Sequence, residues 1–176
     1  MRQIKLYTAI SLDGFIARTD GSIDWLDAVP NPENIDYGYN EFYGTIDTTL
    51  MGYRTYEQIL DFGGDFPYPD KKNYVISYIP QVGTDFVEFI HEPLAEFIPQ
   101  LKNRAGKDVW LIGGGRLNAK MLYNGFIDQI ILTMFPVMLG SGIHLFEGGD
   151  GEKLFELRET RRFPGGILQL IYDRKE

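Results

Sequence analysis

The segment Val109-Trp110-Leu111-Ile112 runs without a break into three glycines and then into Arg116-Leu117-Asn118. An apolar run, a glycine turn and helix-forming residues, in that order, describe a strand feeding a helix through a turn with no room for side chains. A chain built from such units must stack helices on a sheet. The order recurs at Leu50-Met51-Gly52-Tyr53-Arg54-Thr55. Alternation and β-branched content predict strands at Ile4–Ile10, Thr48–Met51, Lys72–Ser77, Phe86–Phe89, Asp108–Ile112 and Ile127–Phe135. Apolar residues at helical spacing predict helices over Asp36–Ile46, Thr55–Phe62, Leu94–Leu101 and Leu117–Tyr123, with Pro93 in a first turn and Pro99 kinking the third. This alternation predicts an α/β fold with a mostly parallel sheet and helices on both faces. Leu154–Thr160 and Gly166–Asp173 flank Phe163-Pro164-Gly165, which adds an antiparallel C-terminal hairpin. No linker-like stretch interrupts the 176 residues, so one domain is expected over 1–176.

Composition removes several kinds of chemistry. With no cysteine there is no disulfide, no thiolate metal site and no cysteine nucleophile. A net charge of -8 repels a polyphosphate backbone, so nucleic acid is not an expected partner. The most apolar stretch, Ile130–Leu139, is broken by Pro136 and is too short to span a bilayer, and the N-terminus lacks a signal-peptide pattern. A soluble cytoplasmic protein is expected. His91 and His144 lack companions at metal-ligand spacing, so no metal site is expected, and Ser141 between glycines does not meet the hydrolase turn pattern.

Two connections are long for a compact domain, Ser11–Ile35 and Pro136–Lys153. The first holds the turns Asp13-Gly14 and Asp20-Gly21, and Trp25 and Leu26 anchor it. A long anchored loop after a first parallel strand is where α/β proteins place ligands, although a surface insertion has the same length.

The glycine run Gly113 to Gly115 at a helix start reads as a diphosphate cradle, because backbone amides and the helix dipole attract phosphate. One glycine would normally suffice for a tight turn, which favours the ligand reading over packing alone. Asn118 stands where a dinucleotide fingerprint needs its third glycine, and too little chain follows for a Rossmann unit. No P-loop pattern occurs. Beside the second turn, Arg54 offers a planar fork for a ribose phosphate and Thr55 a helix cap.

Four segments, Ser11-Leu12-Asp13-Gly14-Phe15-Ile16-Ala17, Met51-Gly52-Tyr53-Arg54-Thr55-Tyr56, Asn73-Tyr74-Val75-Ile76-Ser77 and Ile112-Gly113-Gly114-Gly115-Arg116-Leu117, resemble the dihydrofolate reductase superfamily in order and approximate spacing. Pro136-Val137-Met138-Leu139-Gly140-Ser141-Gly142 with Leu145-Phe146 is similar to the reductase domain of bacterial riboflavin biosynthesis proteins. The resemblance covers nearly the whole chain. It implies a dihydrofolate-reductase-like fold, a homodimer and NADPH bound across the carboxyl ends of the strands. Ala9 and Ile16 would then flank the nicotinamide. The two glycine turns, with Gly52, Tyr53 and Thr55 at one and Ile112, Gly113, Gly114, Gly115, Arg116 and Leu117 at the other, would hold the cofactor's phosphates, Gly113 to Leu117 running along the diphosphate and Arg54 and Ser77 lying near the adenosine end. The same register implies a catalytic carboxylate at Asp36, buried and raised in pKa, with Thr133 as its partner. As a helix-start residue, Asp36 also reads as a cap.

Near the substrate the resemblance implies Asp13, Phe15 and Trp25. Phe15 stands where those reductases tend to carry a basic residue suited to a phosphoribosyl group, so a flat uncharged heterocycle suits this loop and Tyr37 and Tyr39 better. The expected activity is NADPH-dependent hydride transfer to a pyrimidine or pterin-like ring. It is either of the 5-amino-6-(5-phosphoribosylamino)uracil reductase type of riboflavin biosynthesis or of the dihydrofolate reductase type. The alternatives are a non-catalytic dinucleotide-binding homologue and, less well supported, a flavodoxin-like protein.

Overall fold

The computed structural model describes residues 1–175. Strand β1 (Ile4–Ser11) leads into a short β2 (Phe15–Ala17), a 3-10 turn over Asp24–Ala28 and helix α1 (Tyr39–Thr45). There follow β3 (Ile46–Gly52), α2 (Tyr53–Asp61), β4 (Lys72–Ile76), β5 (Val87–Ile90), α3 (Leu94–Asn103), β6 (Asp108–Gly113), α4 (Gly115–Tyr123) and β7 (Gln129–Phe135). The chain closes with β8 (Ile143–His144), β9 (Phe155–Arg162) and β10 (Leu168–Arg174).

The main sheet has the order β5-β4-β3-β6-β1-β7-β10-β9. Strands from β5 to β7 pair in parallel, while β10 runs antiparallel to β7 and β9 antiparallel to β10. The expected α/β architecture with its C-terminal hairpin is the one observed. Alternation along β6 shows how both faces are covered. Val109 and Leu111 enter a core with Phe97, Ile98 and Leu101 of α3 and Leu117 and Met121 of α4. Trp110 packs on the opposite face with Phe42 of α1, and Ile112 reaches Tyr56 of α2 there.

Several boundaries differ from the sequence reading. Both helices after glycine turns start two residues early, at Tyr53 and Gly115, because the turns themselves supply the first helical residues. Helix α1 starts at Tyr39 rather than Asp36, since Asp36, Tyr37 and Gly38 form its entry turn. Helix α3 runs through Pro99 to Asn103, held down by buried Ile98 and Leu101. Most of the apolar stretch Ile130–Leu139 lies in β7, which is paired on both sides, and β9 and β5 form the sheet edges. The two long connections are structured too. Phe15 pairs with His144 and Ala17 with Ile143 in a small second sheet, and Leu12 donates to the Val137 carbonyl at 2.9 Å. Among the described residues no helix is long and apolar enough to cross a membrane.

Candidate active site

Strands β1 and β7 lie side by side, with Ala9 opposite Thr133 and Tyr7 opposite Ile131. The residues of one pleat face, Tyr7, Ala9, Thr133 and Phe135, form the floor of a cleft of about 530 Å³. Its walls come from the first long connection, where Leu26, Val29 and Pro30 are apolar and Asp27, Asn31 and Asn34 polar. Asp36 and Tyr37 close it at the entry to α1. Volume and mixed lining suit a small organic ligand.

The polar groups of the floor are tied together. Gln169 of β10, buried at 2% exposure, donates from Nε2 to the Thr133 hydroxyl at 3.0 Å and to the Tyr37 carbonyl at 2.9 Å. The Tyr7 hydroxyl also reaches the Tyr37 carbonyl, at 3.4 Å. Burial, with a smaller contribution from the charge on Asp36, pushes the Tyr7 phenol up to about 12, so it stays neutral. Asn34 and Tyr37 are the two non-glycine residues with positive φ among those described, at 50° and 52°, and both line the cleft. Strained backbone gathered at one pocket is a mark of functional sites.

Asp36 and Thr133 line the same cleft, but Asp36 is not the buried, raised carboxyl that was expected. It is exposed, and it accepts hydrogen bonds from the amides of Asn40 and Gly38, each at 3.0 Å. Those bonds hold its pKa below the ordinary carboxylate range, so at neutral pH it is an ionised acceptor rather than a proton donor. Nor do the three expected substrate residues line this cleft. Trp25 is buried at 1% with Val29, Phe135 and Ile167, because the loop needs an anchor. Phe15 is buried against His144, with ring centroids 4.5 Å apart. The Asp13 carboxylate accepts from the Ser11 hydroxyl at 2.7 Å and from the amides of Gly140 at 2.7 Å and Leu139 at 3.0 Å, which clasps the two long loops together.

The second region is formed where α2 and α4 begin, at the carboxyl ends of β3 and β6. The Gly114 amide donates to the Thr55 hydroxyl at 3.0 Å, so the two helix N-termini are braced side by side. Neither helix has a side-chain cap, and the buried Gly115 at the start of α4 lies against the His144 carbonyl and the Glu147 side chain. Among the described residues no carboxylate pairs with Arg54 or Arg116, both exposed beside these turns.

The three consecutive glycines do have packing reasons, contrary to the argument that one would suffice. Gly113 has φ +118°. A Cβ on Gly114 would lie 3.0 Å from the Thr55 hydroxyl oxygen, and one on Gly115 would lie 2.3 Å from the His144 carbonyl. Gly52 differs: a Cβ there would meet the Gly113 carbonyl at an ordinary 3.7 Å, so the fold does not demand glycine and the bare turn leaves approach space.

Of the remaining cofactor candidates, Ala9 floors the cleft, whereas Ile16 packs against the core under α3 and α4. The Ser77 hydroxyl is closed on the Ile79 carbonyl at 2.7 Å. Tyr53 packs near Phe89, Ile112 sits in the core beneath α1 and α2, and Leu117 is buried. Among the described residues no cluster of His, Asp or Glu is placed to hold a metal. Tyr7 and Gln169 were missed by the sequence reading. The period-2 pattern of β1 offered a signal for Tyr7, on the Ala9 face, while nothing local marked Gln169.

A family model for the RibD C-terminal domain matches residues 72–169. The chain belongs to the RibD C-terminal domain family. It is 42% identical over 174 residues to the uncharacterized protein YwjB of Bacillus subtilis (strain 168), covering 98% of each chain. A candidate riboflavin biosynthesis protein from Shewanella sp. PV-4 has a solved structure that superposes with a TM-score of 0.88 at 31% identity, over 99% of both chains. Dihydrofolate reductase from Enterococcus faecalis, complexed with NADP(H), superposes at 0.71 and 17% identity over 99% of this chain and 97% of that one, which places this RibD-type domain in the dihydrofolate-reductase-like fold. The fold is thus reductase-like.

Proposed function

We propose that this protein is a cytoplasmic NADPH-dependent reductase of a pyrimidine or pterin-like heterocycle. The observation that carries the reading is the pair of uncapped helix N-termini, braced by the Gly114–Thr55 bond and flanked by the free Arg54 and Arg116. That set fits a dinucleotide: amides of α2 and α4 for its phosphates, the bare Gly52 turn for close approach, and Arg54 for a ribose phosphate. The cleft over β1 and β7 lies at the same carboxyl end of the sheet, where α/β proteins bind ligands.

Bound there, the cofactor supplies the hydride. The chain's part is positional. Ala9, with its small side chain, lets two flat rings approach over the strand floor. The ionised Asp36 accepts hydrogen bonds from ring N–H or amino groups. The Thr133 hydroxyl oxygen already accepts from Gln169, so its hydrogen is left to donate, to the neighbouring Tyr7 oxygen or to a ring carbonyl or nitrogen in its place. Because Asp36 is held ionised, the proton that hydride addition requires arrives through a hydroxyl or solvent rather than from this carboxyl. A second copy would join as a homodimer along the free edge of β9.

Titration with NADPH followed by intrinsic fluorescence, then NADPH oxidation with ring substrates followed by absorbance, tests the reading. Saturable binding and turnover support it. Binding without turnover over a broad panel of pyrimidines and pterins would leave the non-catalytic homologue, and no binding would remove the cofactor.

A further inference from the structure

With Asp36 held ionised, the proton that a ring takes up on reduction needs another source in the cleft. The inference that names it rests on the reductase reading and deepens it. Tyr7 stands on β1, a strand paired on both sides, two residues before Ala9 on the pleat face that floors the cleft. Its ring is fixed, stacked on Phe42 with centroids 4.3 Å apart and at right angles to Trp110 at 6.1 Å. The hydrogen bonds around its hydroxyl run in one direction. Gln169 spends one amide hydrogen on the Thr133 oxygen at 3.0 Å and the other on the Tyr37 carbonyl at 2.9 Å. Thr133 is thereby turned into a donor toward the Tyr7 oxygen. Among the described residues the acceptor of the phenol hydrogen is the Tyr37 carbonyl, which lies 3.4 Å away and is already served by Gln169. The Tyr7 oxygen is thus supplied with donors while its hydrogen is loosely held.

We propose that Tyr7 is the proton donor of the reduction. Two electrons pass from the nicotinamide to the ring as hydride adds to the carbon of a C=N bond. The electron pair of that bond moves to nitrogen, which takes the phenol hydrogen. The O–H bond of Tyr7 breaks, an N–H bond forms, and the phenolate left behind accepts from Thr133 and Gln169 until water returns its proton. Burial, and less so the charge on Asp36, keep the phenol neutral until transfer. The other phenol of the wall, Tyr37, packs its ring on Phe135 and Phe163 and gives the network its carbonyl instead.

Tyr7→Phe keeps the ring packing and removes the hydroxyl. In single-turnover NADPH oxidation with 7,8-dihydropterin, a probe that carries a reducible ring C=N bond, it should slow the step by about 10²- to 10⁴-fold and change NADPH affinity by less than about twofold. Fluorinated tyrosines of rising acidity at position 7 separate chemistry from shape. The rate should climb with the acidity of the phenol, whereas a structural hydroxyl gives no such order. A readout independent of turnover is the carbon-13 resonance of the Tyr7 Cζ, assigned by its absence in Tyr7→Phe. It should move downfield when pyrimidine, whose ring nitrogens accept hydrogen bonds, is added to the full chain, and not when benzene is.

A Tyr7→Phe protein that turns over at the unmodified rate overturns the proposal, as do rates indifferent to phenol acidity or a resonance that treats pyrimidine and benzene alike. The fluorinated series decides if Tyr7→Phe fails to fold, and the resonance decides if NADPH binds but the dihydropterin is not reduced. NADPH titration of the same preparation separates the two readings. Absent NADPH binding removes the reductase, whereas NADPH binding with turnover that ignores Tyr7 removes only this proposal.

Discussion

The helix-pair region and the cleft over β1 and β7 lie at the same end of one sheet but are made in different ways. The first is written in two contiguous stretches, Gly52–Thr55 and Gly113–Leu117, and its working atoms are backbone amides. The second draws Tyr7, Asp27, Asp36, Thr133 and Gln169 from segments far apart in the chain, and its working atoms are side chains. A backbone site needs only the right turn, so glycines announce it. A side-chain site needs register between strands and a loop folded onto them, and no short motif encodes either.

The sharpest way to break this contrast is Gly115→Ala. If the helix-pair region owes its shape to local sequence alone, one methyl is harmless. The carbonyl of His144, 2.3 Å from the new Cβ, instead predicts a loss of about 3 kcal/mol or more, read as a lower urea midpoint. Unchanged stability would mean that the second long loop yields and that glycine there serves the ligand.

A smaller effect is expected at Arg54. Exposed and unpaired, it adds little to stability, so Arg54→Ala should leave the urea midpoint in place. It should weaken NADPH by about 1.5 to 3 kcal/mol with NADH nearly unchanged. Equal losses for both cofactors in fluorescence titrations would move the ribose phosphate elsewhere.

The smallest effect concerns Asp13, which clasps the two loops beside the cleft. Hydrogen bonds from Ser11, Gly140 and Leu139 lower its pKa from 3.8 to about 2 in the folded protein. A depressed folded pKa adds stability that is fully present above the unfolded value and is lost as pH falls through the folded one. The near-ultraviolet signal of Trp25 should therefore show a step between pH 3.8 and about 2. Asp13→Asn should abolish the step, and a step that survives the substitution would belong to another group.

Hydrophobic period and glycine placement, both local properties, determined by themselves the α/β class, the strand order along the chain, the hairpin and the two glycine turns. The same locality explains what went astray. Asp36 was readable as cap or acid, and only the entry turn of α1, with its amides aimed at the carboxylate, decided for an ionised cap on the cleft wall. Trp25 and Phe15 looked like ligand-facing aromatics until the loops folded on one another and buried them. Gln169 had no signal at all, because its role depends on β10 pairing with β7 opposite Thr133. Burial and cross-strand register arise only when distant segments meet, so the tertiary structure, not the sequence, decided which side chains face the cleft.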